Sequence, residues 1–232
     1  VLGERLEAVA LLGMAFTLLG EKANILDGDL KNPNVGIYLG LYRFSKTLND
    51  FLKSDSDINE ISYDYAGMRI LPASLSLPDI HVGISRLRQS LEQLEGYVIV
   101  DFPPGLSRDT TSLMDICDKC IIVTNPTIAS LASTMRFVNV IRDADKPLAG
   151  IVVNRTGKKY EIATQDIESI VPEKLLGVVP EDDTVRRAAM VKKTVIEYKP
   201  YSRASIAIME LAGNLLGKSY KKPRFSRLMN AM

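Results

Sequence analysis

The chain has 232 residues, 46% of them apolar and 25% charged, which suits one large α/β domain with a substantial core. Its 29 Lys and Arg balance 28 Asp and Glu, so no global field favours nucleic acid, and no specific nucleic-acid partner is expected. The longest apolar run, residues 8–19, is broken by Gly13 and Thr17 and falls short of the roughly 20 residues that span a bilayer. The 2 cysteines make no disulfide framework, which points to a reducing, cytoplasmic setting.

In chain order, the pattern predicts a helix over 3–19, strands over 22–27 and 68–71, and a helix over 79–95. Strands over 97–101 and 120–124 follow, then a helix over 127–143, a strand over 148–153, a helix over 163–171 and a strand over 175–179. Helices over 182–190 and 202–216 close the series. The strands are rich in Ile and Val and lack polar alternation, as strands buried on both faces of a parallel sheet do. The fold class is therefore α/β, a doubly wound, mostly parallel sheet with helices on both faces. The expected organisation is one domain over 1–217 and a tail over 218–232.

Ligands of such sheets gather at the carboxyl ends of the strands. There the sequence places Asp27-Gly28-Asp29, Asp101-Phe102-Pro103-Pro104-Gly105, Asn125-Pro126, Asn154-Arg155 and Pro180-Glu181-Asp182. An apolar strand ending in Asp, as in Tyr97-Val98-Ile99-Val100-Asp101, is the Walker B arrangement, whose carboxylate holds Mg²⁺. Mg²⁺ keeps several waters, so one or two carboxylates suffice. Asp27 and Asp29, two apart in a turn, can face one small volume and orient a water beside a terminal phosphate. Each Asp is equally suited to capping a helix or forming a turn.

These segments resemble the MinD and ParA type ATPases. The resemblance runs through Ile25-Leu26-Asp27-Gly28-Asp29-Leu30, Asn34 and Leu39-Gly40, Ile70-Leu71-Pro72-Ala73, and Val100-Asp101-Phe102-Pro103-Pro104-Gly105. It continues through Val123-Thr124-Asn125-Pro126, Gly150-Ile151-Val152-Val153-Asn154-Arg155, Gly177-Val178-Val179-Pro180-Glu181-Asp182 and Val185-Arg186-Arg187-Ala188, so it covers residues 8–217. It is strongest to the MinD branch of cell-division positioning ATPases. It implies a P-loop NTPase-like fold, ATP or ADP with Mg²⁺ as cofactors, an ATP-dependent homodimer and a regulatory protein partner. In residues, it implies that Asp101, with Asp29, serves the metal and that Asp27 and Asp29 lie near the γ-phosphate and attacking water. Asn154 would bond adenine, with Arg155 beside it and Pro180, Glu181 and Asp182 bordering the base. An Asn side chain has both a donor and an acceptor with which to read that edge.

The resemblance also implies a glycine- and lysine-rich phosphate loop at about residues 1–7, preceded by a strand. Val1-Leu2-Gly3-Glu4-Arg5-Leu6-Glu7 does not provide that loop, and Arg5 is the single cation in it. Glu4 would repel a triphosphate, and Leu6 cannot ligate a metal. The sequence leaves two readings: a Mg-dependent ATPase whose first strand and loop lie upstream, or a non-catalytic scaffold with a degenerate site. A third reading is an Mrp-type iron–sulfur carrier, on the strength of Cys117-Asp118-Lys119-Cys120 and Pro33. In that branch, however, the cysteine pair follows the Asn-containing strand, whereas here it precedes Ile121-Ile122-Val123.

His81 lies on a predicted helix without metal or triad partners. Met190, Met209 and Met229 are expected to fill apolar faces. Ser74, Ser76 and Ser107 have no His near them in sequence to activate a nucleophile. In the tail, Phe225, Leu228, Met229 and Met232 fall on one helical face, with Lys221, Lys222, Arg224 and Arg227 around them. A basic amphipathic end of this kind is expected to fold on anionic lipid, as MinD-type tails do. That places the protein in the cytoplasm, peripheral on the inner face of the cell membrane.

Overall fold

The computed structural model describes residues 2–3, 6–54, 56–74 and 84–221. In chain order the elements are β1 (Leu2–Gly3), α1 (Leu6–Leu18), β2 (Ala23–Asp27), α2 (Val35–Tyr38), α3 (Leu48–Lys53), a 3₁₀ turn (Ile58–Ile61), β3 (Tyr63–Tyr65), β4 (Met68–Leu71) and α4 (Ile84–Leu91). They continue with β5 (Tyr97–Asp101), α5 (Arg108–Asp115), β6 (Cys120–Thr124), α6 (Ile128–Asp143), β7 (Leu148–Thr156), α7 (Thr164–Ile170), β8 (Leu175–Pro180), α8 (Asp183–Met190), α9 (Val195–Tyr198) and α10 (Arg203–Leu216).

Two apolar layers explain why the strands show no polar alternation. Successive strand residues point to opposite faces. Leu26, Val100, Ile122 and Val153 enter a core with Leu87, Leu113, Leu131 and Ile141. Their neighbours Ile25, Ile99, Val123 and Val152 enter a second core with Val9, Leu12, Phe16 and Ile208. Both faces are thus covered by helices. α1, read as the first helix, is buried along most of its length because it lies between the sheet and α10. Helix starts are set by local caps: Thr127 Oγ1 accepts from Ser130 N, and Ser202 Oγ from Ser205 N.

The strands pair in parallel except β3, which runs antiparallel to β4 at the edge. They form two ladders, β3-β4-β2-β5 and β1-β6-β7-β8. The sequence offers no strand ahead of α1, yet Leu2–Gly3 forms one, two residues long, in register with Ile122 and Val123 of β6. Between β5 and β6 lies a slot of about 580 Å³ lined by Phe16, Val98, Val100, Phe102, Ile116 and Ile121, so the ladder is interrupted there.

Other expectations also shift. The first helix starts at Leu6, not at residue 3. The helix predicted over 79–95 is described from Ile84 to Leu91. Met190 is 81% exposed and fills no apolar face, because α8 turns only Ala188 fully inward, whereas Met209 is buried. Ser107 caps α5. Among the described residues no helix is long and apolar enough to cross a membrane. Arg5, His81, Ser76 and the tail residues Lys222, Arg224, Phe225, Arg227, Leu228, Met229 and Met232 lie outside the described residues.

Candidate functional site

Parallel pairing of β2 with β5 sets the first half of the site, because its register puts Asp27 directly opposite Asp101 at the carboxyl edge. Gly28 then crosses over the end of β5. Its N–H donates to the Asp101 carbonyl at 3.0 Å, and a Cβ there would stand 2.4 Å from that oxygen. Only glycine lets these two segments approach so closely. Asp27, Asp29 and Asp101 are all buried.

Asp27 organises the turn that follows it. Its Oδ1 accepts from Asp29 N at 3.2 Å, and its Oδ2 from Asn34 N at 3.1 Å and Val35 N at 3.2 Å, fastening the start of α2. Asp29 Oδ1 in turn accepts from Asn32 N at 3.0 Å. Burial, then the charge of Asp101, push the Asp27 carboxyl up to about 7, against backbone donors that pull it down. Two buried carboxylates side by side repel each other, and a hard divalent cation would relieve that repulsion. The donor set therefore fits Mg²⁺, which Asp101 would hold with Asp29 nearby, while Asp27 faces Asp101 across the register. Among the described residues no group of three or more His, Cys, Asp or Glu side chains converges as a full metal cage. Mg²⁺ in nucleotide sites needs none, since phosphate and water supply the remaining oxygens.

The second half lies on β7 and β8. A pocket of about 270 Å³ has Asn154, Arg155, Lys158, Pro180, Glu181 and Asp182 at its mouth and apolar walls that include Leu11, Val152 and Ile208. The mouth is braced. Glu181 N donates to Thr156 O at 2.8 Å, and the Glu181 carboxylate pairs with Lys158 at 3.4 Å and Arg186 at 3.3 Å. Asp182 accepts from Thr184 N at 3.0 Å and Ala204 N at 3.2 Å, tying the starts of α8 and α10 together. Burial raises its carboxyl, but hydrogen bonds from Thr184, Ala204 and Ser202 prevail and hold it below the usual range. Asp182 thus builds the mouth as a cap.

The structure brings Asp27, Asp29, Asp101, Asn154, Arg155, Pro180, Glu181 and Asp182 to one edge of the fold. Arg5 cannot be placed with them. Lys158 and Arg186 join the site although neither is read as a site residue from the sequence; Gly157-Lys158-Lys159, one residue after Asn154-Arg155, is a usable signal. The cysteines lie elsewhere. Cys120 opens β6 at the amino end of the strands, opposite the acidic tips. Cys117 donates its thiol to Leu113 O at 3.3 Å, and burial pushes that thiol up to about 11.

A family profile described as 4Fe-4S iron sulfur cluster binding proteins, NifH/frxC family, matches residues 111–227. An ATP-binding protein of Methanocaldococcus jannaschii is 34% identical over 215 residues, covering 90% of this chain and 81% of that protein. The septum site-determining protein MinD of Bacillus subtilis is 28% identical over 228 residues, covering 90% and 82%. An iron-sulfur cluster carrier protein of Pyrococcus horikoshii is 25% identical, covering 89% and 79%. Among solved structures, MinD of Pyrococcus horikoshii complexed with Mg-ADP superposes with a TM-score of 0.85 at 28% identity, covering 93% of each chain. A MinC:MinD cell division protein complex from Aquifex aeolicus shares the fold, with a TM-score of 0.82 at 23% identity and coverage of 94% and 93%.

Proposed function

The chain belongs to the MinD/ParA family of P-loop ATPases, and from that premise we propose that it is an adenine-nucleotide-dependent switch. In this reading the pocket at the ends of β7 and β8 takes adenine. Asn154 bonds the base edge, Arg155 stands beside it, and Pro180, Glu181 and Asp182 border it. Asp101, with Asp29 nearby, serves Mg²⁺, which supplies charge neutralisation at the phosphates. Asp27 and Asp29 hold the polar turn where an attacking water would stand. The nucleotide state governs a homodimer, attachment to an anionic membrane surface, and recognition by a regulatory protein, so that division or other cellular components are positioned.

One observation carries this reading: the β2–β5 register sets Asp27 opposite Asp101 on the same strand-end edge as the Asn154–Glu181 pocket. The relative seen with Mg-ADP and the ATP-binding relative support it at the level of the family. Calorimetric titration with Mg-ADP, Mg-ATP and Mg-GTP is the test. Asn154→Ala is expected to weaken adenine nucleotides by about 1–3 kcal/mol, since it leaves a buried polar partner unpaired. Equal affinity of the unaltered chain for ATP and GTP removes Asn154 as the base reader.

The iron–sulfur alternative has a relative behind it in the Pyrococcus horikoshii carrier. Against it, Cys117 and Cys120 sit at the opposite edge from the nucleotide pocket, and burial raises both thiols, which disfavours the thiolates that clusters need. A scaffold with a degenerate site would bind no nucleotide in the same titration.

A further inference from the structure

Between β7 and α7 the chain passes over the carboxyl end of β7 beside the base pocket, which it lines through Lys158. It starts on the β8 side, where Lys158 Nζ lies 3.4 Å from Glu181. It ends on the β6 side, where Ile162 N donates to Pro126 O at 3.0 Å. Asn154, on β7, lies between those two anchors, and Tyr160 occupies the middle of the span. The loop is closed from within, because the Glu161 carboxylate accepts from Gly157 N at 2.7 Å and Lys158 N at 2.9 Å.

Tyr160 is the anomaly of this loop. It is 92% exposed, and its φ is +67°, a left-handed conformation that costs a bulky aromatic residue strain that glycine or asparagine would avoid. Among the described residues its ring meets the neighbouring Lys159 ammonium, 5.0 Å from the centroid. Strain and exposure thus meet at one aromatic residue. Gly157 at the start of the loop has φ +99°, a conformation open to glycine.

We propose that Tyr160 is the lid of the base site: its ring closes over the purine that Asn154 holds and stacks on the face of the base. This rests on the adenine reading of the pocket and adds the residue that covers it. A purine face accepts an aromatic ring whatever its edge pattern, so Asn154 supplies selectivity and Tyr160 supplies residence. Lys159, already held at the ring, would travel with it toward the ribose-phosphate side.

Calorimetric titration of the full chain with Mg-ADP tests the lid. Tyr160→Ala is expected to weaken Mg-ADP about tenfold, with an unchanged unfolding temperature, because the side chain packs against no core. Tyr160→Phe keeps the ring and should bind within about twofold of the unaltered chain. Unchanged affinity in Tyr160→Ala overturns the lid, as does a loss in Tyr160→Phe equal to that in Tyr160→Ala. If the unaltered chain binds Mg-ADP and loses it in Asn154→Ala but not in Tyr160→Ala, the lid falls alone and the base reading stands. If the unaltered chain binds no Mg-ADP, the base reading falls and takes the lid with it.

Discussion

Asp27 shows how one residue can carry both shape and charge. Its carboxylate fastens the start of α2 through two backbone N–H groups and faces Asp101 across the β2–β5 register. Burial first, and Asp101 second, push its carboxyl from the ordinary 3.8 up to about 7. Between those values the folded chain keeps a proton that the unfolded chain has released. The native state then binds more protons, so stability falls as pH rises from about 4 to about 7, by at most about 4 kcal/mol. Below that window both states are protonated and the effect vanishes. Urea unfolding of parent and variant across the window is the measurement. Asp27→Asn should lack this component of the fall, and Asp101→Asn should show a smaller one, because it removes the second cause. Parent and Asp27→Asn curves that run parallel in pH would refute the assignment. The position of Asp27 at a strand tip was legible from Ile25-Leu26-Asp27. Its use as the anchor of α2 was not, since that depends on where Asn34 and Val35 return.

At the scale of elements, the long apolar strands and the helices α1, α6 and α10 follow from the sequence because each buries a continuous apolar face. The elements that escaped are mostly short or polar, α3 (Leu48–Lys53) and the eight-residue α5 (Arg108–Asp115) among them. α2 and α9 span four residues each, barely more than one turn, and β3 is the polar edge segment Tyr63-Asp64-Tyr65. The irregularity of β7 was equally hidden. There Cys120 pairs with Leu148 but Ile121 pairs with Gly150, so one extra residue bulges from β7. Gly150 has φ +145°, and a Cβ at that position would stand 2.2 Å from the Lys174 carbonyl. Gly150→Ala therefore meets both a strained backbone and a rigid neighbour. It is expected to lower the free energy of unfolding by more than about 2 kcal/mol, read from the midpoint of urea denaturation. Because β7 carries Asn154 at its far end, the same variant should weaken Mg-ADP. An Ala variant as stable as the parent would show that the bulge relaxes without cost.

On the scale of the whole molecule, the two edges of the sheet would have different tasks under the proposed function. The acidic tips and the base pocket occupy the carboxyl edge. The chain leaves the fold at the other, where Gly217 ends α10 in a left-handed turn and Lys218 binds the Leu19 carbonyl at 2.9 Å and the Glu21 carboxylate. Tyr220 still packs against the core, so these residues hold the start of the tail at the end of α1. A tail released from this edge can engage a surface while the nucleotide edge faces away from it. Under the proposed attachment, Lys221, Lys222, Arg224 and Arg227 would each add roughly 1 kcal/mol of attraction near anionic lipid, and Phe225, Leu228, Met229 and Met232 would supply the apolar face. So short a helix is marginal in water and needs the interface to form. Liposome sedimentation separates this from a tail without a lipid role. The intact chain should pellet with anionic vesicles in low salt and less so in high salt, where the basic residues are screened. A chain ending at Lys221, which keeps the Lys218 and Tyr220 contacts and hence the fold, should stay in the supernatant. Equal pelleting of the two chains would remove the tail as the membrane anchor, and equal binding to neutral vesicles would remove its basic residues from the attraction.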